Sequence, residues 1–203
     1  MTLEGSISPL TLKAMTQTPM KLTHMSPVQA AVFPLLPQLA EPYNPFPSDN
    51  AARDLLVKAR TGTGKTLGFL LPAVEARIKA IEAHGKQAVL DAGLKSDKTL
   101  EMRARQAYAH KNLGTLIISP TRELATQIAV EAQKLTSHVD GFTVNLFVGG
   151  ASKGPQMRNW TRGRRDILVA TPGRLRDFLI SEPEVASGVA KTQVVRSYRC
   201  HFP

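Results

Sequence analysis

Residues 59–66 read Ala-Arg-Thr-Gly-Thr-Gly-Lys-Thr and follow the apolar run Leu55-Leu56-Val57. Two glycines, a lysine and a threonine at this spacing suit the binding of a polyphosphate. Gly62 and Gly64 lack a Cβ, so the backbone can take positive φ and come close to a ligand. The N–H groups of such a loop point inward at a helix start and cradle phosphate oxygens. Lys65 would reach the β- and γ-phosphates of a nucleoside triphosphate, and the Thr66 hydroxyl would ligate Mg²⁺. This chemistry needs a strand, a loop and a helix in that order. Asp54–Lys58 reads as the strand and Lys65–Glu82 as the helix. Ala59 stands where this pattern commonly has glycine.

Three more constellations follow in order. Pro120-Thr121-Arg122-Glu123-Leu124-Ala125 comes directly after the apolar run Leu116-Ile117-Ile118. Gly149-Gly150 comes after Leu146-Phe147-Val148, and Thr171-Pro172-Gly173-Arg174 after Ile167-Leu168-Val169. Each supplies hydroxyls, free backbone N–H groups or a guanidinium at a helix start. Such groups hold sugar and phosphate without reading bases.

The elements that must position these groups alternate. Strands are expected at Asp54–Lys58, Thr115–Ser119, Thr143–Val148 and Asp166–Ala170, each a short Leu/Ile/Val-rich run with little alternation. Such runs suit parallel strands buried on both faces. Helices are expected at Lys65–Glu82, Arg122–Ser137, Pro155–Arg162 and Gly173–Ser181, with a short one at Pro9–Met15 and another over Pro27–Leu39 that Pro37 ends. The pattern implies a doubly wound α/β sheet, whose ligands bind at the carboxyl ends of the strands. Residues 41–50 form a Pro/Asn loop, and 84–112 read as a flexible surface insertion, partly helical at Leu100–His110.

The chain has 203 residues, enough for one domain with a real core, and 42% hydrophobic residues, an ordinary share. No apolar run is long enough to span a bilayer. The start lacks the charged and apolar regions of a secretory signal. The only cysteine is Cys200, which removes intrachain disulfides and fits an intracellular, reducing compartment, whether mitochondrial, nuclear or cytoplasmic. A net charge of +10 points to a polyanionic partner.

With its motifs in this order, the chain resembles the first RecA-like domain of a DEAD-box RNA helicase, a P-loop NTPase fold. Thr23–Gln29 also resembles that family's Q motif. The resemblance covers roughly residues 8–195. It implies that Gln29 contacts adenine, and that Arg60, Thr61, Gly62, Thr63, Gly64, Lys65 and Thr66 hold ATP, with Lys65 and Thr66 in catalytic roles and Thr66 on Mg²⁺. It implies that Pro120, Thr121, Arg122, Gly150, Thr171, Gly173 and Arg174 line a groove for the RNA backbone, with weak sequence preference. Arg158, Arg162, Arg164 and Arg165 would either add positive field there or form a solvated basic face, and Trp160 would either stack on a base or pack inside. The family's adenine-stacking aromatic falls near Leu12, which offers an apolar contact and no ring.

The resemblance divides the chain into an extension (1–25), a RecA-like ATP-binding domain (26–195) and a divergent tail (196–203). Lys191–Val195 reads like the strand that leads into the Asp-Glu-Ala-Asp motif, but Arg-Ser-Tyr-Arg-Cys-His-Phe-Pro follows. The carboxylates that would position Mg²⁺ and the attacking water are missing. The expectation is a fragment of a helicase that lacks hydrolysis by itself, with an incomplete sheet that leaves strand edges unpaired. Two other readings stay open, a non-catalytic nucleotide- or RNA-binding fragment and a different P-loop NTPase acting on a small molecule.

Overall fold

The computed structural model describes residues 3, 5–41, 55–60, 62–192 and 194–197. Thr61 and most of the 41–50 loop therefore lie outside the described residues. The chain divides into two compact units, Met1–Lys79 with Glu131–Asp140, and Ala80–Val130 with Gly141–Pro203.

The first unit is helical. Helix α1 (Pro9–Thr16) starts at Ser8, whose hydroxyl accepts from Thr11 N. Ser8 also donates from its backbone N (2.9 Å) and its hydroxyl (3.1 Å) to the carboxylate of the buried Glu75. Helix α2 (Pro27–Val32) passes into a 3₁₀ turn at Phe33–Leu35 and then into α3 (Leu36–Leu39). The expected single helix over 27–39 is thus broken at Pro34, which has no N–H to continue the ladder, while Pro37 is tolerated in the first turn of α3. Helix α4 (Lys65–Asp91) begins here, and Phe33, Leu36, Leu70, Leu71 and Val74 are buried.

The second unit holds a parallel sheet. Its strands are β1 (Thr115–Ile118), β2 (Val144–Phe147), β3 (Ile167–Ala170) and β4 (Val194–Ser197), in the order β2-β3-β1-β4. β3 is buried at every position, as a central strand should be, whereas β2 alternates at an edge. Helices α5 (Lys98–Lys111), α6 (Arg122–Leu135), α7 (Lys153–Arg162), α8 (Pro172–Ser181) and α9 (Pro183–Val189) complete the chain. Phe147, Trp160, Leu168, Leu175, Phe178 and Val185 pack into one core cluster. Buried Asp166 ties the starts of two strands. It accepts from Thr143 N at 3.0 Å and from Arg164 Nη2 at 3.0 Å. The register sets Ile118 and Phe147 beside Ala170, so β1, β2 and β3 end level.

Two expectations are corrected. Residues 55–58 form no strand and Leu56 is 97% exposed. Apolar residues do not hold an extended segment without a neighbour for its N–H and C=O groups, and the four strands of the sheet do not include this segment. Residues 84–112 carry the expected helix at Leu100–His110, as α5, and are more helical than expected over the rest. They form the end of α4, a turn with Gly93 at φ +72°, and α5. The Asp97 carboxylate caps α5, accepting from Thr99 N and Leu100 N. The His84 ring stacks on Tyr108 with centroids 4.3 Å apart, and Arg105 pairs with Glu101 while filling the space that the missing Cβ of Gly85 leaves.

Candidate nucleotide and nucleic-acid sites

The nucleotide loop sits at the head of α4, a helix of 27 residues. Gly62 and Gly64 have φ of +77° and +76°, as their expected role requires. A Cβ on Gly64 would stand 2.6 Å from Gln29 Nε2, while one on Gly62 would meet nothing within 4 Å. The approach to Gly64 comes from a capping box. Ser26 Oγ accepts from Gln29 N at 3.3 Å, and Gln29 Oε1 accepts from Ser26 N at 2.9 Å. Gln29 Nε2 then donates to Gly64 O at 3.3 Å. Each amide atom keeps capacity for one more bond. Lys65 Nζ turns back into the loop, donating to Ala59 O at 2.5 Å and to Arg60 O. Thr63 Oγ1 donates to Arg60 O at 2.8 Å. The loop thus folds around a cation.

The second site opens at the level strand ends. Pro120, Thr121, Arg122, Thr171, Gly173 and Arg174 line one cleft of about 510 Å³. Thr121 Oγ1 accepts from Leu124 N at 3.3 Å and starts α6, which places Arg122 in the first turn. Thr171 is tied to β2 through its N–H to Phe147 O at 3.0 Å. Gly150 has φ +79°, and its bare Cα leaves room for the Arg122 guanidinium. Arg174 Nη2 donates to Ala151 O at 2.9 Å. Six of the seven expected backbone-contact residues therefore line one cavity, and the seventh, Gly150, abuts Arg122.

The structure adds residues that the motifs did not single out. Asp177 lines the cleft, beside Gly149 and Glu123, which the motifs already contain. Gln156 holds the glycine turn, accepting from Val148 N at 3.2 Å and donating to Val148 O at 3.1 Å and Ser152 O at 3.3 Å. The only sequence signal of Asp177 and Gln156 is helical spacing from the turn they serve.

The arginines divide. Arg164 is taken up by Asp166, and Arg165 by Glu184 and the face of Trp160 at 4.7 Å. Both precede β3 and so stand at its amino end, away from the level strand ends. Arg158 and Arg162 are exposed on α7. Trp160 is buried in the core, 5.6 Å from Phe147 between ring centroids, so it packs and does not stack on a base.

Residues 26–196 match the DEAD/DEAH box helicase family. The chain belongs to that family. Among its relatives, DEAD-box ATP-dependent RNA helicase 25 of Oryza sativa subsp. japonica is 34% identical over 94% of this chain and 26% of its own length. The mitochondrial ATP-dependent RNA helicase mss116 of Aspergillus oryzae is 33% identical over 96% of this chain and 25% of its own length. The chain thus spans about a quarter of these relatives. The solved structure of the DEAD-box helicase Mss116 bound to ssRNA and UDP-BeF superposes with a TM-score of 0.62 at 20% identity, over 98% of this chain and 40% of that one. A hypothetical ATP-dependent RNA helicase from Sulfolobus tokodaii gives 0.60 at 20% identity, over 97% and 52%. The fold of this DEAD/DEAH box chain is accordingly RecA-like, a parallel sheet flanked by helices.

Proposed function

We propose that the chain is the nucleotide- and RNA-contacting RecA-like domain of an ATP-dependent RNA helicase, and that by itself it binds both ligands without turning ATP over. The cleft carries the reading. Two guanidiniums, two threonine hydroxyls and glycine backbone converge at level strand ends over a packed core. That set recognises a sugar-phosphate chain and has nothing shaped to read base edges.

The residues of the loop fit ATP. Backbone at Gly62 and Gly64 can approach the phosphates, and Lys65 already occupies the loop as the cation that phosphates would draw outward. Gln29, held by Ser26 and Gly64, keeps an N–H and an acceptor lone pair for an adenine edge. A single hydroxyl, Thr66, suits Mg²⁺ carried in on phosphate oxygens and water. The metal would supply charge neutralisation on those phosphates. Turnover also needs a group to orient water, and no Asp or Glu occurs after Glu184. Ser197 pairs with Ile118 and so ends β4 level with the other strands, where family resemblance expects acid.

Calorimetric titration of the chain with a non-hydrolysable ATP analogue and Mg²⁺ should show binding that Lys65→Ala weakens roughly tenfold or more, the scale of a lost charge-assisted contact. ATP turnover well above background, lost in Lys65→Ala, would defeat the binding-only part. Absence of nucleotide affinity would defeat the loop assignment.

A further inference from the structure

We propose that Lys153 is a further phosphate-binding residue of the cleft, and that the Asp177 carboxylate holds the place of an RNA backbone phosphate between Lys153 and Arg174. The proposal rests on the reading of the cleft as an RNA groove. Lys153 Nζ donates to Asp177 Oδ1 at 2.6 Å, and Arg174 Nε lies 3.9 Å from Oδ2 of the same carboxylate. Both cations stand 5.7 Å from the centroid of the Phe178 ring. Phe178 is fully buried, so its ring is a fixed platform that gathers the two charges.

This arrangement has a vacancy in its hydrogen bonding. Arg174 Nη1 is buried and has no hydrogen-bond partner among the described residues. Lys153 and Asp177 are each 43% exposed, so their ion pair contributes little stability and exchanges readily. A phosphodiester offers two oxygens carrying one negative charge, as a carboxylate does, and an arginine can bind both at once. A phosphate entering the cleft can therefore replace Asp177 on Lys153 and Arg174 and reach the unmet Nη1 as well. Asp177 then returns to water, where its charge is solvated. A carboxylate in a groove built for a polyanion is otherwise a repulsive element. As a place-holder it keeps two neighbouring cations from repelling each other until the strand arrives.

The test is fluorescence anisotropy of a labelled single-stranded oligouridylate titrated with the whole chain at several salt concentrations. Lys153→Gln should weaken binding by roughly three- to tenfold and lower the slope of log Kd against log salt by about 0.7, one phosphate contact on a single strand. Lys153→Arg should retain both affinity and slope, and Asp177→Asn should tighten binding. Circular dichroism of each variant checks the fold. If Lys153→Gln leaves affinity and slope unchanged while Arg122→Ala weakens binding, the groove stands and this proposal falls. If the chain shows no oligouridylate affinity, or neither Arg122→Ala nor Lys153→Gln alters it, the groove reading fails and takes the proposal with it.

Discussion

The loop that turns into Lys65 and the cleft around Arg122 and Arg174 both lie at helix starts, yet different forces hold them. The cleft is framed by backbone. Three parallel strands end level, and each hands over directly to a turn and a helix. Beneath it lies a core of Trp160, Phe147 and Phe178. The loop has no strand behind it in the described residues. Its shape comes from two positive-φ glycines, the amide of Gln29 and the ammonium of Lys65. A frame of sheet hydrogen bonds and dry packing is stiff, because many small terms must fail together. A loop held by a few side-chain bonds opens at little cost. The cleft is therefore preformed, whereas the phosphate of the proposed reading would have to displace Lys65 from the carbonyls of Ala59 and Arg60.

The largest expected effect breaks the cleft from below. Trp160 is fully buried, with Phe147 on one side and the Arg165 guanidinium on another, and a Cβ on Gly188 would come within 2.8 Å of its ring. Trp160→Ala should cost about 3–5 kcal/mol in urea unfolding monitored by far-ultraviolet dichroism. Oligouridylate affinity should be lost with it. Retained affinity at a normal midpoint would show that the strand ends hold the cleft without the core beneath.

The next effect separates two glycines of the loop. Gly64→Ala forces a Cβ onto a backbone at φ +76° and onto Gln29 Nε2 at 2.6 Å. Strained backbone of this kind costs about 1–3 kcal/mol, and the Gln29 contact is lost besides. Nucleotide affinity should fall by more than about tenfold. Gly62→Ala carries similar strain, at φ +77°, with no collision. Its nucleotide affinity should lie between those of the parent and Gly64→Ala. Equal losses in the two variants would mean that the Gln29 contact adds nothing to the strain.

These contrasts also mark what could be read from sequence. The strands at 115–118 and 167–170 were legible because Leu, Ile and Val runs that are buried on both faces leave a dense apolar signature, and 144–147, which alternates at the edge, because Val144, Leu146 and Phe147 run straight into the glycine turn. The residues of the cleft were legible because each follows such a run directly. The segment 55–58 carries the same signature and forms no strand, since pairing is a property of neighbours and not of the segment. The helices flanking 92–97 were half-hidden. Their residues are polar, and His84 on Tyr108 or Arg105 against Gly85 are tertiary contacts with no periodic trace. Trp160 was open to two roles because a lone tryptophan among arginines has the same composition on a surface as in a core. Gln156 and Asp177 stayed silent because their work is to position other groups, and helical spacing alone does not announce it.

The smallest expected effect tests whether Ser26 and Gln29 select the base. Ser26 Oγ accepts from Gln29 N, and the Gln29 side chain returns a bond to Ser26 N. This reciprocal pair orients the amide that reaches Gly64 O. Ser26→Ala removes one arm of the box and should cost about 1 kcal/mol of stability in this unit, the usual loss at an N-cap. The amide would then sample more rotamers, and a freer side chain must be ordered again on binding. Calorimetry should accordingly show a Kd for the ATP analogue raised roughly two- to fivefold, with the guanosine analogue bound no worse than before. The two nucleotides share phosphates and differ at the base edge, so a loss confined to adenosine assigns the box to base selection. An equal loss for both would mean that Ser26 supports the phosphate loop as a whole, and that Gln29 meets Gly64 only to shape the backbone.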